Sequence, residues 1–427
     1  MRWYLVFLLG VFNNLAVSSA AFAQEAPEGI LRLDEVLQEA RAKNPELKAA
    51  KARWDAARLR VPQAWALPDP TAGYAIMGPE LETRVGPQKN LYEVEQLIPF
   101  PAKLLERRQM AVAEANAEEA RWHAAERDVI LKVSQAYYDL YATDASLRAV
   151  EEVREILGAF ESIAQSRYAS GTTAQRDVAK AQTEVSETLE RLFLLRQQRQ
   201  TLTALLNALL SQDSKTAIGS IQPPSLPSVP EQVESLIELA KQSRPELRQA
   251  DAQVLRDRHA NRLAKLDYLP DVSVGFEYDQ IGSGMTSDPH DGRDAWMIPI
   301  KVTLPLWQNR LVPAVREAKR NLTASQADLT QAENLSGYEV RDAYYRFVAA
   351  KQVVALYENA LLPQAELALH SDQAAYESGR SDALSLIDSE RVYLNAKVAY
   401  YRAVADAMKS YAGLERAVGT TLVTSDQ

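Results

Sequence analysis

Residues 167–178 read RYASGTTAQRDV, and they interrupt two stretches, 101–166 and 179–210, that otherwise run as helix. Glycine costs about 1 kcal/mol against alanine inside a helix, so Gly171 marks a turn. It suits the left-handed residue that closes one helix. Thr172, with Gln175 three positions later, has the spacing of a capping box that opens the next. The segment reads as a hairpin tip. Residues 376–388, YESGRSDALSLID, repeat it, with a Tyr three before the glycine, Ser378 before Gly379, and Ser381 placed to cap the following helix.

The repetition extends outward. NPEL at 44–47 returns as RPEL at 244–247, LPDP at 67–70 as LPDV at 269–272, and LIPF at 97–100 as TLPL at 303–306. QAYYDLYA at 135–142 returns as DAYYRFVA at 342–349. The matches keep their order at an offset of roughly 200 residues that widens slowly, as expected of a duplicated unit with small insertions. The predicted halves are 31–215 and 231–420, joined by the linker GSIQPPSLPSVP at 219–230, whose four prolines suit neither helix nor central strand.

Each half follows one plan. A helix is predicted over about Leu33–Val61, ended by Pro62, Pro68 and Pro70, and its counterpart over about Val233–Leu266. Alternating runs follow, giving a two-stranded hairpin at 71–99 and another at 271–304 around polar loops at 78–90 and 280–294. The helix from Pro101 to Tyr168 would be a rod about 100 Å long, beyond the needs of a globular domain. The last helix carries a 3-4 spaced seam, Leu384, Ile387, Arg391, Leu394, Val398, Tyr401, Ala405, Met408, Ala412, which suits coiled-coil packing.

With 47% hydrophobic and 25% charged residues the composition is that of a folding chain, and a net charge of -9 without a basic cluster argues against nucleic acid. Residues 1–23, ending in Ala21-Phe22-Ala23, have the form of a cleaved secretory signal, so the exported chain is expected to start at Gln24. Cysteine is absent, which removes disulfides, thiolate metal sites and a lipidated N-terminal cysteine.

Four strands with one apolar face are too few to roof a core. If that face meets lipid, Glu93, Glu95, Ser273 and Glu277 face water on the other side. Four strands cannot close, and an open edge in hydrocarbon leaves backbone groups unpaired, so several copies must pool their hairpins. Three copies give twelve strands, enough for an aqueous lumen. The expected fold is mainly α, with long coiled-coil helices and a small β part joining a transmembrane β-barrel.

The ordered set of these motifs, with QLIPFPAK and VTLPLWQN, resembles the TolC-like outer membrane efflux proteins, closest to the branch for cobalt-zinc-cadmium export. The resemblance covers about 31–420. It implies a homotrimer in the outer membrane of a Gram-negative bacterium, a helical tunnel through the periplasm, and docking to a periplasmic adaptor and an inner-membrane, proton-driven pump of the RND type. It implies no catalysis and no cofactor. Unlike many relatives, this chain has no cysteine to carry a lipid.

The tips, Ser170, Gly171, Thr172, Ser378, Gly379 and Arg380, stand at the far end of the rods, where an adaptor's helical hairpin could meet them. The resemblance further implies a gate at the second tip, formed by a Tyr three before the glycine, an Arg two after it, and acidic residues six and nine after it. Those positions are Tyr376, Ser381, Ser385 and Asp388, so the Tyr and the distal Asp match while serines stand for the Arg and the proximal Asp. Arg380 is adjacent to the missing Arg.

Other readings are weaker. GSGMTS at 282–287 opens no helix and is read as a surface loop, not a phosphate cradle. DPHDGRD at 288–294 groups His290 with Asp288, Asp291 and Asp294, a set that could bind a metal, but it is read as an exposed loop. His123, His259 and His370 are read as surface residues. A periplasmic adaptor without a pore would need sheet around one helical hairpin, whereas this chain has two hairpins and paired strands in each half.

Overall fold

The computed structural model describes residues 29–78, 82–230, 232–284 and 287–422. The leader assigned to 1–23 lies outside them.

A short strand, β1 (Ile30–Leu31), precedes α1 (Leu33–Lys43), whose acidic first turn and basic last turn both complement the helix dipole. The single helix expected over Leu33–Val61 is two. The Asn44 side chain accepts from the amides of Glu46 and Leu47 at 2.8 and 3.4 Å, and with Pro45 it starts a new helix, α2 (Pro45–Trp65). Pro62 does not end it. The helix runs on to Trp65, and the side-chain amide of Gln63 donates to the Leu59 carbonyl at 2.9 Å.

Two strands follow, β2 (Thr71–Ile76) and, after the short β3 (Glu82–Thr83), β4 (Gly86–Ile98). The chain then enters α3 (Pro101–Ala169), 69 residues and about 100 Å long, and returns through α4 (Gln175–Leu210). The proline-rich linker is partly core. Its β5 (Ser220–Ile221) pairs parallel with β1, and Ile218 and Ile221 are buried against α3.

The second half repeats the order. The helices α5 (Val233–Ser243) and α6 (Pro245–Leu266) again divide before a proline, here without a side-chain cap. The strand β6 (Asp271–Ile281) is followed by β7 (Ala295–Met297) and β8 (Ile300–Thr303), two pieces of one strand divided at Pro299, which has no N–H for the ladder. The rod that follows is α7 (Gln308–Leu356), a π turn at Tyr357–Leu361, and α8 (Leu362–Glu377). The wide turn falls directly before Pro363, whose missing N–H would leave a carbonyl unpaired in a regular helix. The chain returns through α9 (Ala383–Val418).

The main sheet has the order β2, β4, β6, then β7 and β8, all antiparallel. Its base is tied to the rods by buried Lys103, which donates to the Leu269 carbonyl at 2.8 Å and to Asp271 at 2.9 Å. The largest core lies midway, where α1, α3, α4 and α9 bury Val36, Val133, Leu140, Leu206 and Ala407.

Along α9 the seam departs from the expected one near the tip. Leu384 is 53% exposed and Arg391 points to α4, while Ala383, Leu386, Ile387 and Glu390 fill the contact. From Leu394 to Ala412 the expected positions Leu394, Val398, Ala405, Met408 and Ala412 are buried, with Tyr401 half-buried.

Candidate functional site

The sheet has two chemically opposite faces. One carries Tyr74, Tyr92, Val94, Phe276, Trp296, Ile300 and Val302, all exposed, with Trp296 67% and Ile300 68% accessible. Tyr74, Tyr92 and Tyr278 sit side by side across three strands, and Phe276 stacks on Trp296. The other face carries Glu93 opposite Glu277, Glu95 opposite Gly275, and Lys301 opposite Ser273.

Lys301 is a residue the sequence reading missed. Its ammonium pairs with Glu95 across β4, β6 and β8, so this face sets a cation among its carboxylates. Among the described residues β2 is paired on one side only, and so are β7 and β8. The sheet therefore ends in two open edges, between a hydrophobic face and a charged one. No helix of the described residues is long and apolar enough to cross a membrane.

Both tips close in the same way. Gly171 and Gly379 have φ of +72° and +73°, a region only glycine adopts without cost. The Gly171 and Thr172 amides donate to the Tyr168 and Arg167 carbonyls, and the Gly379 and Arg380 amides donate to those of Tyr376 and Ala375. These are two Schellman turns. The capping box expected at Thr172 and the cap expected at Ser381 do not form. Thr172 turns its hydroxyl back to the Arg167 carbonyl at 2.9 Å, and Ala174 stands at the N-cap of α4. In the second tip Asp382, not Ser381, is the cap, accepting from the Ser385 amide at 3.0 Å and its hydroxyl at 2.9 Å. Ser170 and Ser378 both donate to carbonyls of their own helix.

The residues expected at a gate are divided between core and surface. Tyr376 is buried, with its ring 4.9 Å from Phe160 and Arg167 lying 4.6 Å over it. Arg167, another residue the sequence reading passed over, also donates to the Tyr376 and Glu377 carbonyls at 3.1 and 3.0 Å, so α3 grips the end of α8. Asp388 and Arg380 are exposed, and the Arg380 guanidinium donates to Ser378. Ser385 is occupied by its cap.

The loop carboxylates serve the loops. Asp294 accepts from the Ile281 amide, Asp291 from the Gly284 amide and Asp288 from the His290 amide. Met285 and Thr286 of GSGMTS lie outside the described residues, among which no group of three His, Cys, Asp or Glu is arranged to hold a metal ion. Gly86 and Gly282 let the two loops touch, since a Cβ on Gly86 would meet the Gly282 carbonyl oxygen at 2.0 Å. His259 is not a simple surface residue. Its Nδ1 lies 2.6 Å from Glu106, and the side chain is mostly covered. His123 rests on Trp122, and His370 is exposed.

Comparison with known proteins agrees with this geometry. The family described as "Outer membrane efflux protein" matches residues 36–212 and 236–420. The chain is 23% identical to the cobalt-zinc-cadmium resistance protein CzcC of Cupriavidus metallidurans, over 93% of this chain and 92% of that one. It is 24% identical to the outer membrane protein TolC of Vibrio cholerae, over 97% and 95%. The outer membrane protein VceC of Vibrio cholerae shares the fold, with a TM-score of 0.76 at 21% identity over 91% of this chain and 96% of that one. With both long segments of the family matched and the fold shared, this chain belongs to the outer membrane efflux protein family.

Proposed function

We propose that three copies of this chain pool their strands into a twelve-stranded barrel and form the exit duct of a tripartite efflux system. The observation that carries this reading is the sheet: two open edges, one exposed apolar face and one charged face. In hydrocarbon an open edge leaves backbone groups unpaired, and closure with neighbouring copies removes every edge. The apolar face then meets lipid and Glu93, Glu95, Glu277 and Lys301 line the lumen. The helices continue the duct through the periplasm.

In this reading the two halves, 31–215 and 231–420, are copies of one unit, and the leader 1–23 directs export and is removed. The tips at Gly171 and Gly379 meet a periplasmic adaptor that connects the duct to an inner-membrane RND pump. Asp388, exposed on α9 near the tip, recurs three times about one axis and draws cations to the entrance, while Tyr376 and Arg167 hold the hairpin end in place. The duct is passive and has no catalytic residue.

Heavy-metal cations are the proposed cargo, supported by the likeness to CzcC and by the carboxylates of the lumen face. The match to TolC is of the same strength and supports a duct for other cargo. A strain deleted for this chain decides. Sensitivity to cobalt, zinc and cadmium, restored by the gene, supports the metal reading. Unchanged metal tolerance with increased sensitivity to organic toxicants would transfer the duct to a drug pump.

A further inference from the structure

We propose that Glu390 is a proton-binding site that sets how tightly the tip-ward parts of α4 and α9 hold together. Glu390 is 3% exposed and occupies the α9 contact where a coiled coil would place an apolar residue. On one side Leu394 packs with Val153 and Leu157 of α3. On the other, Ile387 packs with Phe160. Glu390 is the polar break between these two clusters.

Its surroundings offer it no cation of its own. Across the seam stands Glu184 of α4, itself buried. The guanidinium of Arg391 is committed to Glu184 at 2.6 Å and to Glu187 at 2.8 Å. Arg191 of α4, in the same cleft of about 190 Å³, donates to Asn395 at 3.2 Å. On the α8 side Asp372 is taken by Ser389, and on the α3 side Glu152 is taken by Lys397, about two turns along α9. Glu390 makes no hydrogen bond or ion pair with any described residue.

A carboxyl so placed stays protonated. Burial first, and the Glu184 charge second, push it up to about 8 from an ordinary 4.5. The native state holds the proton more tightly than the unfolded one, so the seam is strongest below the ordinary value and weakens as pH rises through the folded one. Protonated, Glu390 is a neutral filler of the seam. Ionised, it sets a second buried carboxylate against Glu184 with one shared arginine, and the contact between α4 and α9 loosens. Because α9 carries Asp388 and its cap Asp382, the loosening is delivered to the hairpin tip. Glu390 acts within the chain itself, whatever cargo the duct carries.

The absence of cysteine allows a clean test on the full chain purified in detergent. Lys180→Cys on α4 and Leu384→Cys on α9, both exposed, take spin labels, and the distance between them is followed from about pH 6 to about pH 10. The distribution should broaden with a midpoint near 8, and Glu390→Gln, which mimics the protonated acid, should hold the low-pH distribution throughout. A distance independent of pH, or the same transition in Glu390→Gln, overturns the proposal. Infrared titration of the unlabelled, unmutated protein reads the protonated carboxyl directly. A carboxyl band that persists to about pH 8 is expected, and its loss together with the ordinary carboxylates overturns the proposal without any variant.

Discussion

Replacing Arg167 with alanine should free the end of α8 from α3. The guanidinium makes two hydrogen bonds to carbonyls, at 3.1 and 3.0 Å, and lies 4.6 Å over the Tyr376 ring. Hydrogen bonds from a charged group contribute about 1.5–3 kcal/mol each, and at this half-exposed site we take about 1. The cation over the ring adds about 0.5 kcal/mol. The loss of roughly 2.5 kcal/mol corresponds to a rise of about 60-fold in the population with the tip detached. Amide hydrogen exchange over residues 371–380 reads that population, and exchange there should accelerate by the same order in Arg167→Ala while the core of α3 near Val133 is unchanged. Tyr376→Phe is the control. It keeps the ring and removes a buried hydroxyl that has no hydrogen-bond partner among the described residues, so exchange should stay within about 2-fold of wild type. If Arg167→Ala exchanges at the wild-type rate, the guanidinium does not hold the tip and the reasoning fails.

Three further outcomes follow from the same geometry. Asp388→Ala should lower the cation selectivity of single channels or relieve their block by multivalent cations, and unchanged permeation would place the constriction elsewhere. Lys301→Gln should raise cation selectivity, because it leaves Glu93, Glu95 and Glu277 without the ammonium that now offsets them; reversal potentials in a salt gradient report the change, and an equal or lower selectivity would show that this face does not line the ion path. Asp382→Ala removes the cap of α9 and should destabilise the tip, seen as faster exchange at the Leu384 to Leu386 amides, whereas Ser381→Ala should leave those amides unchanged.

The turns were legible because a glycine that must take positive φ is a local demand, and Gly171 and Gly379 stand where helix on both sides leaves no other role. Their caps were not. Thr172 meets the Ser170 hydroxyl and the Arg167 carbonyl, and the Schellman turn draws its hydroxyl backward to Arg167, a choice invisible in spacing. Strand alternation gave the two faces through Tyr92, Glu93 and Val94. Lys301 was passed over because the apolar positions beside it, Ile300 and Val302, carry the pattern. The seam of α9 is ambiguous near the tip, where Ala383 and Leu384 both satisfy a 3-4 spacing. Packing against α3 and α4 selects Ala383 and therefore buries Glu390, a residue that no hydrophobic pattern would choose. The division of the rod at Tyr357–Leu361 had a local signal in Pro363. The partnership of Arg167 with Tyr376 had none, since it spans 209 positions of sequence.

The central claim is that this sheet is a third of a closed barrel. Mass measurement of the protein extracted from outer membranes in mild detergent tests it most directly. The account predicts a single species of three chains, with no monomer until the detergent is made denaturing. A monomer that remains folded and lipid-inserted, with the outer edges of β2 and β8 left open, would contradict it.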